Sequence, residues 1–253
     1  MSNELILAIS GNDIFSGGGL HADLATYTTN KQHGFVAVTC LTAMTEHGFE
    51  VIPVDPTTFA QQLNSLKDVP FSAIKLGLLP NVEVADLALD YVKAHAGIPV
   101  VLDPVLVCKE THDVEVSALR DELIRFFPSV TIITPNLPEA EILTQSKIQS
   151  LDDMKEAARK LHELGAANVV VKGGNRLNKE KAIDVFYDGQ DFTVFEEDVL
   201  EKNNTGAGCT FASSISSQLV KGKSPLEAVK ASKDFVFQAI QHSDQYGVVQ
   251  YDI

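Results

Sequence analysis

Cysteine is scarce in this sequence, and no apolar run is long enough to cross a membrane. The three cysteines, at positions 40, 108 and 209, lack zinc-site spacing and are odd in number, so no disulfide framework is expected. A membrane-spanning helix needs about 20 consecutive apolar residues. The N-terminal residues also lack a basic region ahead of an apolar run, so no signal peptide is expected. We therefore expect a cytoplasmic protein with reduced thiols and no membrane contact.

Basic residues are outnumbered, with 20 Lys and Arg against 34 Asp and Glu and a net charge of −14. This balance argues against a surface that binds nucleic acid or an anionic membrane. It does not exclude ATP, which needs only a local cationic site and a metal. Internal repeats, low-complexity tracts and a Pro/Ser-rich linker are also absent, so we predict a single domain over residues 1–253.

Two common nucleotide-binding signatures are missing. Gly222, Lys223 and Ser224 match the end of a P-loop, but Ser217 occupies the position of its first glycine. The glycine-rich segment 16–19 does not match the GxGxxG pattern of dinucleotide-binding folds. Its spacing alone fits a flexible turn and a ligand-binding loop equally well.

Short continuous apolar runs alternate with helical patterns along the chain. Continuous runs are typical of strands that are buried on both faces of a parallel sheet. The alternation predicts an α/β fold with a doubly wound, mainly parallel central sheet flanked by helices. Ligands of such sheets bind beyond the carboxyl ends of the strands. One sheet edge should therefore gather the residues that follow the strands, namely 10–13, 75–77, 103, 136, 172 and 204–210.

The turn at 204–210 has the composition of an anion-binding site. Gly206, Ala207 and Gly208 directly precede a helical pattern, so their backbone N–H groups should point toward one place, where the helix dipole adds positive charge. Cys209 stands at the rim of this predicted cradle. Helix N-termini lower the thiol pKa from its usual value of about 8.5, so Cys209 can serve as a general base toward a hydroxyl. The alternative is a small buried apolar residue.

Six short motifs occur in order: residues 10–13 (SGND), 16–24 (SGGGLHADL), 103–105 (DPV), 134–141 (TPNLPEAE), 171–174 (VKGG) and 205–210 (TGAGCT). Together they resemble the ribokinase-like superfamily of small-molecule kinases. Within it, the chain is most similar to the branch that holds the hydroxymethylpyrimidine kinases and the pyridoxine/pyridoxal kinases. Position 209 carries Cys, which is typical of that branch, whereas most sugar kinases of the superfamily carry Asp there.

The resemblance implies a site for ATP and Mg²⁺. The family's Asn-x-x-Glu motif falls on Asn136 and Glu139, which implies that they hold Mg²⁺, directly or through water, near the ATP phosphates. Asn136 can also cap the helix that follows it. Lys172 is implied to reach the phosphates, although a surface lysine is the plain alternative. Asp184 and Thr205 are implied to lie near the nucleotide.

The resemblance also implies residues that contact the substrate. Gly11 and Asp23 match positions that contact the aromatic ring in this branch, and Asp23 can accept a hydrogen bond from a ring hydroxyl or a hydroxymethyl group. Met44 stands where pyrimidine kinases carry Gln, and its apolar thioether suits a methylated pyridine better than an aminopyrimidine. Cys108, in an expected flap at about 106–118, matches a cysteine that adds to the substrate aldehyde as a hemithioacetal in some pyridoxal kinases. Core packing for Met44 and an unreactive thiol for Cys108 are the alternatives.

The function implied is ATP-dependent phosphorylation of the 5′-hydroxymethyl group of pyridoxal, pyridoxine and pyridoxamine. Hydroxymethylpyrimidine (phosphate) kinase of thiamin synthesis is the nearest alternative. A non-catalytic sensor that binds a vitamer or a nucleotide is an alternative of another class. The resemblance further implies a homodimer.

Overall fold

A computed structural model describes residues 4–106 and 113–250. Of the expected flap, residues 107–112 with Cys108 lie outside the described residues. The chain divides into two compact units, residues 1–103 with 202–253 (unit 1) and residues 104–201 (unit 2). Each unit has its own strands and helices. The single domain over 1–253 therefore stays a prediction.

The described residues form ten strands and eight α-helices. The strands are β1 (Leu5–Ser10), β2 (His33–Val38), β3 (Cys40–Thr45), β4 (Gly48–Pro53), β5 (Ala73–Leu76), β6 (Val100–Leu102), β7 (Ile132–Ile133), β8 (Val169–Lys172), β9 (Lys181–Tyr187) and β10 (Phe192–Asp198). The helices are α1 (Gly19–Thr29), α2 (Pro56–Ser65), α3 (Val82–Ala94), α4 (Asp113–Ile124), α5 (Leu137–Thr144), α6 (Leu151–Glu163), α7 (Ala207–Val220) and α8 (Pro225–Gln241). In this part of the chain, no helix is both long enough and apolar enough to cross a bilayer.

Unit 1 is built on four parallel strands in the spatial order β6-β5-β1-β2. Leu7 of β1 pairs with Phe35 of β2 on one side and with Ile74 of β5 on the other. The side chains of Ile6 and Ile9 are fully buried, like that of Leu7. Burial on both faces explains why this strand has a continuous apolar sequence. The predicted α/β fold with a mainly parallel sheet is confirmed.

Unit 2 combines parallel and antiparallel strands. Ile133 of β7 pairs in parallel with Val169 of β8. β8 then pairs antiparallel with β9, and β9 pairs antiparallel with β10. Val169, Val170 and Val171 are fully buried, which fits the predicted buried strand.

Helix starts follow from local capping residues. The Asn81 side chain accepts a hydrogen bond from Val84 N at the start of α3. At α8, Ser224 accepts from Glu227 N while Glu227 accepts from Ser224 N, which is a complete capping box. These side chains satisfy backbone donors that a helix cannot satisfy itself, so the sequence marks where each helix begins.

Helix α7 begins after Gly206, where the backbone conformation and a close contact both favour glycine. Gly206 is its N-cap and has φ of +84°. A Cβ atom at Gly206 would lie 1.6 Å from the carbonyl oxygen of Gly17. The turn before α7 is therefore pressed against the loop after β1. Gly222, just past the end of α7, has the same φ of +84°, yet a Cβ atom there would meet nothing within 4 Å.

These two glycines provide a matched test of the close approach. Both Gly206→Ala and Gly222→Ala should lose about 1–2 kcal/mol of stability from the left-handed backbone. Gly206→Ala should lose a further 1–3 kcal/mol, roughly, because its methyl group overlaps the backbone of Gly17. Urea unfolding followed by circular dichroism measures both values. Equal losses in the two variants would contradict the close approach at Gly206.

Candidate active site

The carboxyl ends of three neighbouring strands of unit 1 lie side by side. The N–H of Gly77 donates to the carbonyl oxygen of Ile9 at 2.9 Å, and the N–H of Asp103 donates to that of Leu76 at 2.9 Å. These bonds continue the parallel register of β1, β5 and β6 past their last residues. Within unit 1, the predicted gathering of post-strand residues at one sheet edge is confirmed.

The glycine-rich loop after β1 is held in shape by Asp13. The carboxylate of Asp13 accepts from Phe15 N at 3.0 Å and from Gly18 N at 2.9 Å. A Cβ atom at Gly11 would lie 2.3 Å from Cys40 Sγ, so β3 approaches this loop too closely for any side chain. The loop is thus fixed by its own hydrogen bonds and by packing, unlike a free turn.

The first turns of α1 and α7 meet at the Cys209 thiol. Gly19, the first residue of α1, donates its N–H to Cys209 Sγ at 3.4 Å. Cys209 lies in the first turn of α7 and is partly exposed. Helix N-termini carry partial positive charge. The N-termini of α1 and α7 meet beside the thiol, so this position favours the binding of an anion.

The predicted amide cradle is narrower than the sequence suggested. The N–H of Ala207 donates to the carbonyl oxygen of Asn204 at 3.0 Å, so this amide is not part of the cradle. Across residues 4–106 and 113–250, no acceptor takes the N–H groups of Gly208 and Cys209. First-turn amides without an intrahelical partner can bind an anion. The amides of Gly208 and Cys209 can therefore form the cradle. Gly206, whose N–H also has no acceptor in this part of the chain, sets the backbone conformation that starts the helix.

A buried ion pair lies one helical turn behind the thiol. Lys75 Nζ on β5 is 2.8 Å from Asp23 Oδ1 on α1. Ser213 Oγ on α7 donates to the same Asp23 oxygen at 2.5 Å. All three residues have an exposed fraction of 0 %. Burying these charges is costly unless they are paired and hydrogen-bonded. Asp23 Oδ1 carries both the ion pair and the hydrogen bond, whereas Asp23 Oδ2 has no partner among the described residues.

This pairing bears on both roles considered for Asp23. The side chain was predicted to accept a hydrogen bond from the substrate, with an ordinary helix-face carboxylate as the alternative. Its full burial excludes the exposed helix-face alternative, and its contact with a substrate stays a prediction. The physical reason for this burial is Lys75, which occupies a strand buried on both faces and needs a counter-charge.

Burial and the ion pair set the titration of the groups around the thiol. Desolvation by the atoms packed around the thiol raises the pKa of Cys209 to about 11, and the charge of Lys75 only partly opposes this effect. The lowered thiol pKa expected from the helix N-terminus is therefore wrong. Burial acts to lower the pKa of Lys75, but Asp23, Cys209 and Asp103 outweigh it and raise that pKa. Burial also raises the pKa of Asp23.

Met44 lies on an exposed hairpin. Its exposed fraction is 59 %, which rules out the core-packing alternative. The β3–β4 hairpin is tied to the loop after β1, because Thr42 N donates to Asn12 Oδ1 at 2.9 Å and Ile14 N donates to Thr42 Oγ1 at 2.9 Å. Contact between Met44 and a substrate stays a prediction.

In unit 2, Asn136 and Glu139 form a capping box at the start of α5. Asn136 Oδ1 accepts from Glu139 N at 3.0 Å, and Glu139 Oε2 accepts from Asn136 N at 2.8 Å. The capping role considered for Asn136 is therefore present. Within the described residues, no group of three or more His, Cys, Asp or Glu side chains could hold a metal. Mg²⁺ commonly keeps several waters and takes one or two carboxylates plus phosphates, so these oxygen donors fit Mg²⁺ held through water.

Lys172 and Asp184 lie beside this capping box. Lys172 ends β8, forms a parallel bridge with Asn136 and pairs with Asp184 on β9. Asp184 Oδ1 accepts from Gly173 N at 2.9 Å and so holds the turn that follows Lys172. Unit 2 thus brings Asn136, Lys172 and Asp184 together on adjacent chain segments. Their contact with a nucleotide stays a prediction.

Thr205 braces the turn before α7. Its N–H and its hydroxyl both donate to Asn203 Oδ1, at 3.1 and 2.8 Å, and its carbonyl oxygen accepts from Val248 N at 3.0 Å. The residue is exposed. Its predicted place near the nucleotide remains untested.

Sequence reasoning placed Asp13 and Lys75 at the sheet edge without giving either a role, and it passed over Ser213. A signal was present for Lys75, because a lysine between Ile74 and Leu76 in an apolar strand requires a buried partner. No local pattern indicates which groups Asp13 or Ser213 contacts. Their partners became clear only when the loop and the helices were placed.

Known proteins resemble this chain over nearly its whole length. A family model described as phosphomethylpyrimidine kinase matches residues 13–252. The pyridoxine kinase of Bacillus subtilis (strain 168) is 40% identical over 253 residues, which cover 96% of this chain and 92% of that protein. The hydroxymethylpyrimidine/phosphomethylpyrimidine kinase of Aquifex aeolicus is 35% identical over 250 residues, which cover 96% of each.

A solved structure of a kinase from the same group is also similar to this chain. The pyridoxal kinase from Staphylococcus aureus, in complex with AMP-PCP and pyridoxal, matches with a TM-score of 0.90 and 34% identity. The match covers 100% of this chain and 94% of the other. The resemblance inferred from the six motifs is thereby confirmed. This chain belongs to the phosphomethylpyrimidine kinase family.

Proposed function

We propose that this protein is an ATP-dependent kinase that phosphorylates the 5′-hydroxymethyl group of pyridoxal, pyridoxine and pyridoxamine. The observation that carries the proposal is the Cys209 thiol at the meeting point of two helix N-termini, beside two backbone amides that have no protein acceptor among the described residues. The similarity to pyridoxine and pyridoxal kinases supports the same substrate class. We further propose that the enzyme is a cytoplasmic homodimer.

Unit 1 would carry the vitamin and the transfer step. The amides of Gly208 and Cys209 would stabilise the negative charge that develops on the transferred group. Because the pKa of Cys209 is raised to about 11, its thiol stays protonated near neutral pH. Cys209 would therefore orient the substrate hydroxyl rather than remove its proton in advance. Phosphoryl transfer depends mainly on positioning and charge stabilisation, so this role suffices.

Unit 2 would bind the nucleotide phosphates. Lys172, at the end of β8, would contribute positive charge, and Asp184 would hold the turn beside it. Asn136 and Glu139 would hold the waters of a magnesium ion. Mg²⁺, when bound, neutralises phosphate charge.

Hydroxymethylpyrimidine kinase activity is the second candidate, because the Aquifex aeolicus relative carries that name. Met44 favours the pyridoxal assignment, since a thioether cannot replace the strong hydrogen bonds that an aminopyrimidine would require. A sensor without catalysis would have no need for the thiol and the two amides at one point.

Side-by-side turnover separates the candidates. With ATP and Mg²⁺, we expect ADP release to be fastest with pyridoxal and pyridoxine and slower with hydroxymethylpyrimidine, because Met44 offers the pyrimidine amino group no partner. A coupled ADP assay measures all three rates. Faster turnover of hydroxymethylpyrimidine would transfer the assignment to the second candidate, and no ADP release with any alcohol would favour the sensor.

Replacing Cys209 should impair the transfer step. Cys209→Ala removes the thiol but leaves both amides, so we expect kcat to fall about 100-fold while the affinity for ATP changes little. Steady-state kinetics with ATP as the varied substrate gives both values. Ser214→Ala, a buried change farther along the same helix, serves as the control. Turnover close to that of the wild type in Cys209→Ala would refute its catalytic role.

The proposed hemithioacetal at Cys108 can be tested by comparing vitamers. Cys108→Ala should raise the KM for pyridoxal several-fold and leave the KM for pyridoxine nearly unchanged, because pyridoxine has no aldehyde. Both constants come from the coupled assay. Equal changes in the KM values for the two vitamers would contradict the proposed hemithioacetal.

A further inference from the structure

We propose that Lys75 is a positioning residue for the transfer step: paired with Asp23, it fixes the place where α1 and α7 meet and sets a buried positive charge behind the Cys209 thiol. The inference rests on the proposed function, to which it adds a residue that the family resemblance did not bring out. Lys75 is fully buried, so it acts through the groups it holds.

The spacing along both helices supports this role. Gly19 and Asp23 are four residues apart on α1, and Cys209 and Ser213 are four apart on α7, so each pair lies on one helix face, one turn apart. Gly19 N donates to Cys209 Sγ, and one turn further Ser213 Oγ donates to Asp23 Oδ1. The two helices are thus joined at two successive turns.

Lys75 ties this double contact to the sheet. Its ammonium group is 2.8 Å from the same Asp23 oxygen that accepts from Ser213. A Cβ atom at Gly77 would lie 2.9 Å from Lys75 Nζ and 2.3 Å from Ser10 Oγ. The ammonium group therefore lies against the carboxyl-end edge of β1 and β5, where the proposed chemistry takes place. A shift of Lys75 would move α1 and α7 together.

The charges that act on the thiol have opposite signs. Lys75 on β5 lowers the pKa of Cys209, whereas Asp23 on α1 and Asp103 after β6 raise it, and the Gly19 N–H lowers it. Asp13 also faces this region, since a Cβ atom at Gly18 would be 3.7 Å from both Asp13 Oδ2 and Cys209 Sγ. Burial raises the pKa of Tyr27 on α1, the charge of Asp23 raises it further and the charge of Lys75 lowers it. Removing Lys75 should therefore raise the pKa of the Cys209 thiol, and removing Asp23 should lower it.

Thiol alkylation provides a test that does not depend on turnover. In full-length protein carrying Cys108→Ser, Cys209 is the reactive thiol, because Cys40 is fully buried. Iodoacetamide labelling of Cys209 would be followed by peptide mass spectrometry between about pH 7.5 and 9.5, where the thiolate fraction sets the rate. Lys75→Met should slow labelling severalfold at a given pH, and Asp23→Asn should speed it severalfold. A loosened fold would speed labelling in both variants, so opposite signs identify the charge effect.

Turnover and a matched pair of serines test the positioning. Ser213→Ala removes the α7 contact and keeps both charges, and we expect kcat to fall about tenfold with little change in KM. Ser214→Ala is the control, because this neighbouring hydroxyl is equally buried and has no hydrogen-bond partner among the described residues. Thermal unfolding of each variant shows whether it is folded.

If Lys75→Met does not fold, the double variant Asp23→Asn/Lys75→Met removes both charges and takes its place. It should be folded and label more slowly than both the wild type and Asp23→Asn, because the lowering of the Cys209 pKa by Lys75 outweighs the raising by Asp23, and its kcat should be reduced at least tenfold. The proposal is overturned if Lys75→Met and Asp23→Asn change labelling in the same direction or leave it unchanged. It is also overturned if folded Ser213→Ala or the double variant turns over like the wild type. If the wild type phosphorylates no alcohol, the proposed function fails, while the labelling rates still report on Lys75.

Discussion

The ion pair between Lys75 and Asp23 is the constraint on which the rest of unit 1 depends. A lysine in a strand that is buried on both faces must find a buried anion, and it finds one on α1. Once α1 is fixed in this way, its first residue reaches the thiol on α7, and Ser213 secures the second helix. The chemistry proposed for the sheet edge thus depends on two charges that are fully buried behind it.

Much of the fold could be predicted from local patterns. Apolar runs such as Ile6–Ile9 indicated strands buried on both faces, and Asn81 and Ser224 marked helix starts. These signals are strong because they come from period and capping chemistry, which need only a few consecutive residues. The pairing of Lys75 with Asp23 spans 52 positions, and no local pattern encodes it.

The site was predicted less completely for the same reason. The motifs drew attention to Cys209, Asn136 and Glu139, and the structure gives each a defined place. The prediction of a lowered thiol pKa was wrong because it considered only the charge of the helix N-terminus, whereas desolvation comes from residues that pack around the thiol from elsewhere in the chain. The amide of Ala207 was misassigned because its turn closes on Asn204. Local patterns indicated which residues belong to the site. Tertiary packing decides whether each thiol or amide is free to contact a ligand.

The capping box of α5 would link helix stability to the magnesium site proposed there. The oxygens of Asn136 and Glu139 already accept the first backbone donors of the helix. The waters of a magnesium ion held here would use the remaining lone pairs of the same side chains, so the helix start and the proposed site would share their acceptors. Weaker binding after substitution at either position would therefore report a frayed helix as much as a lost ligand contact.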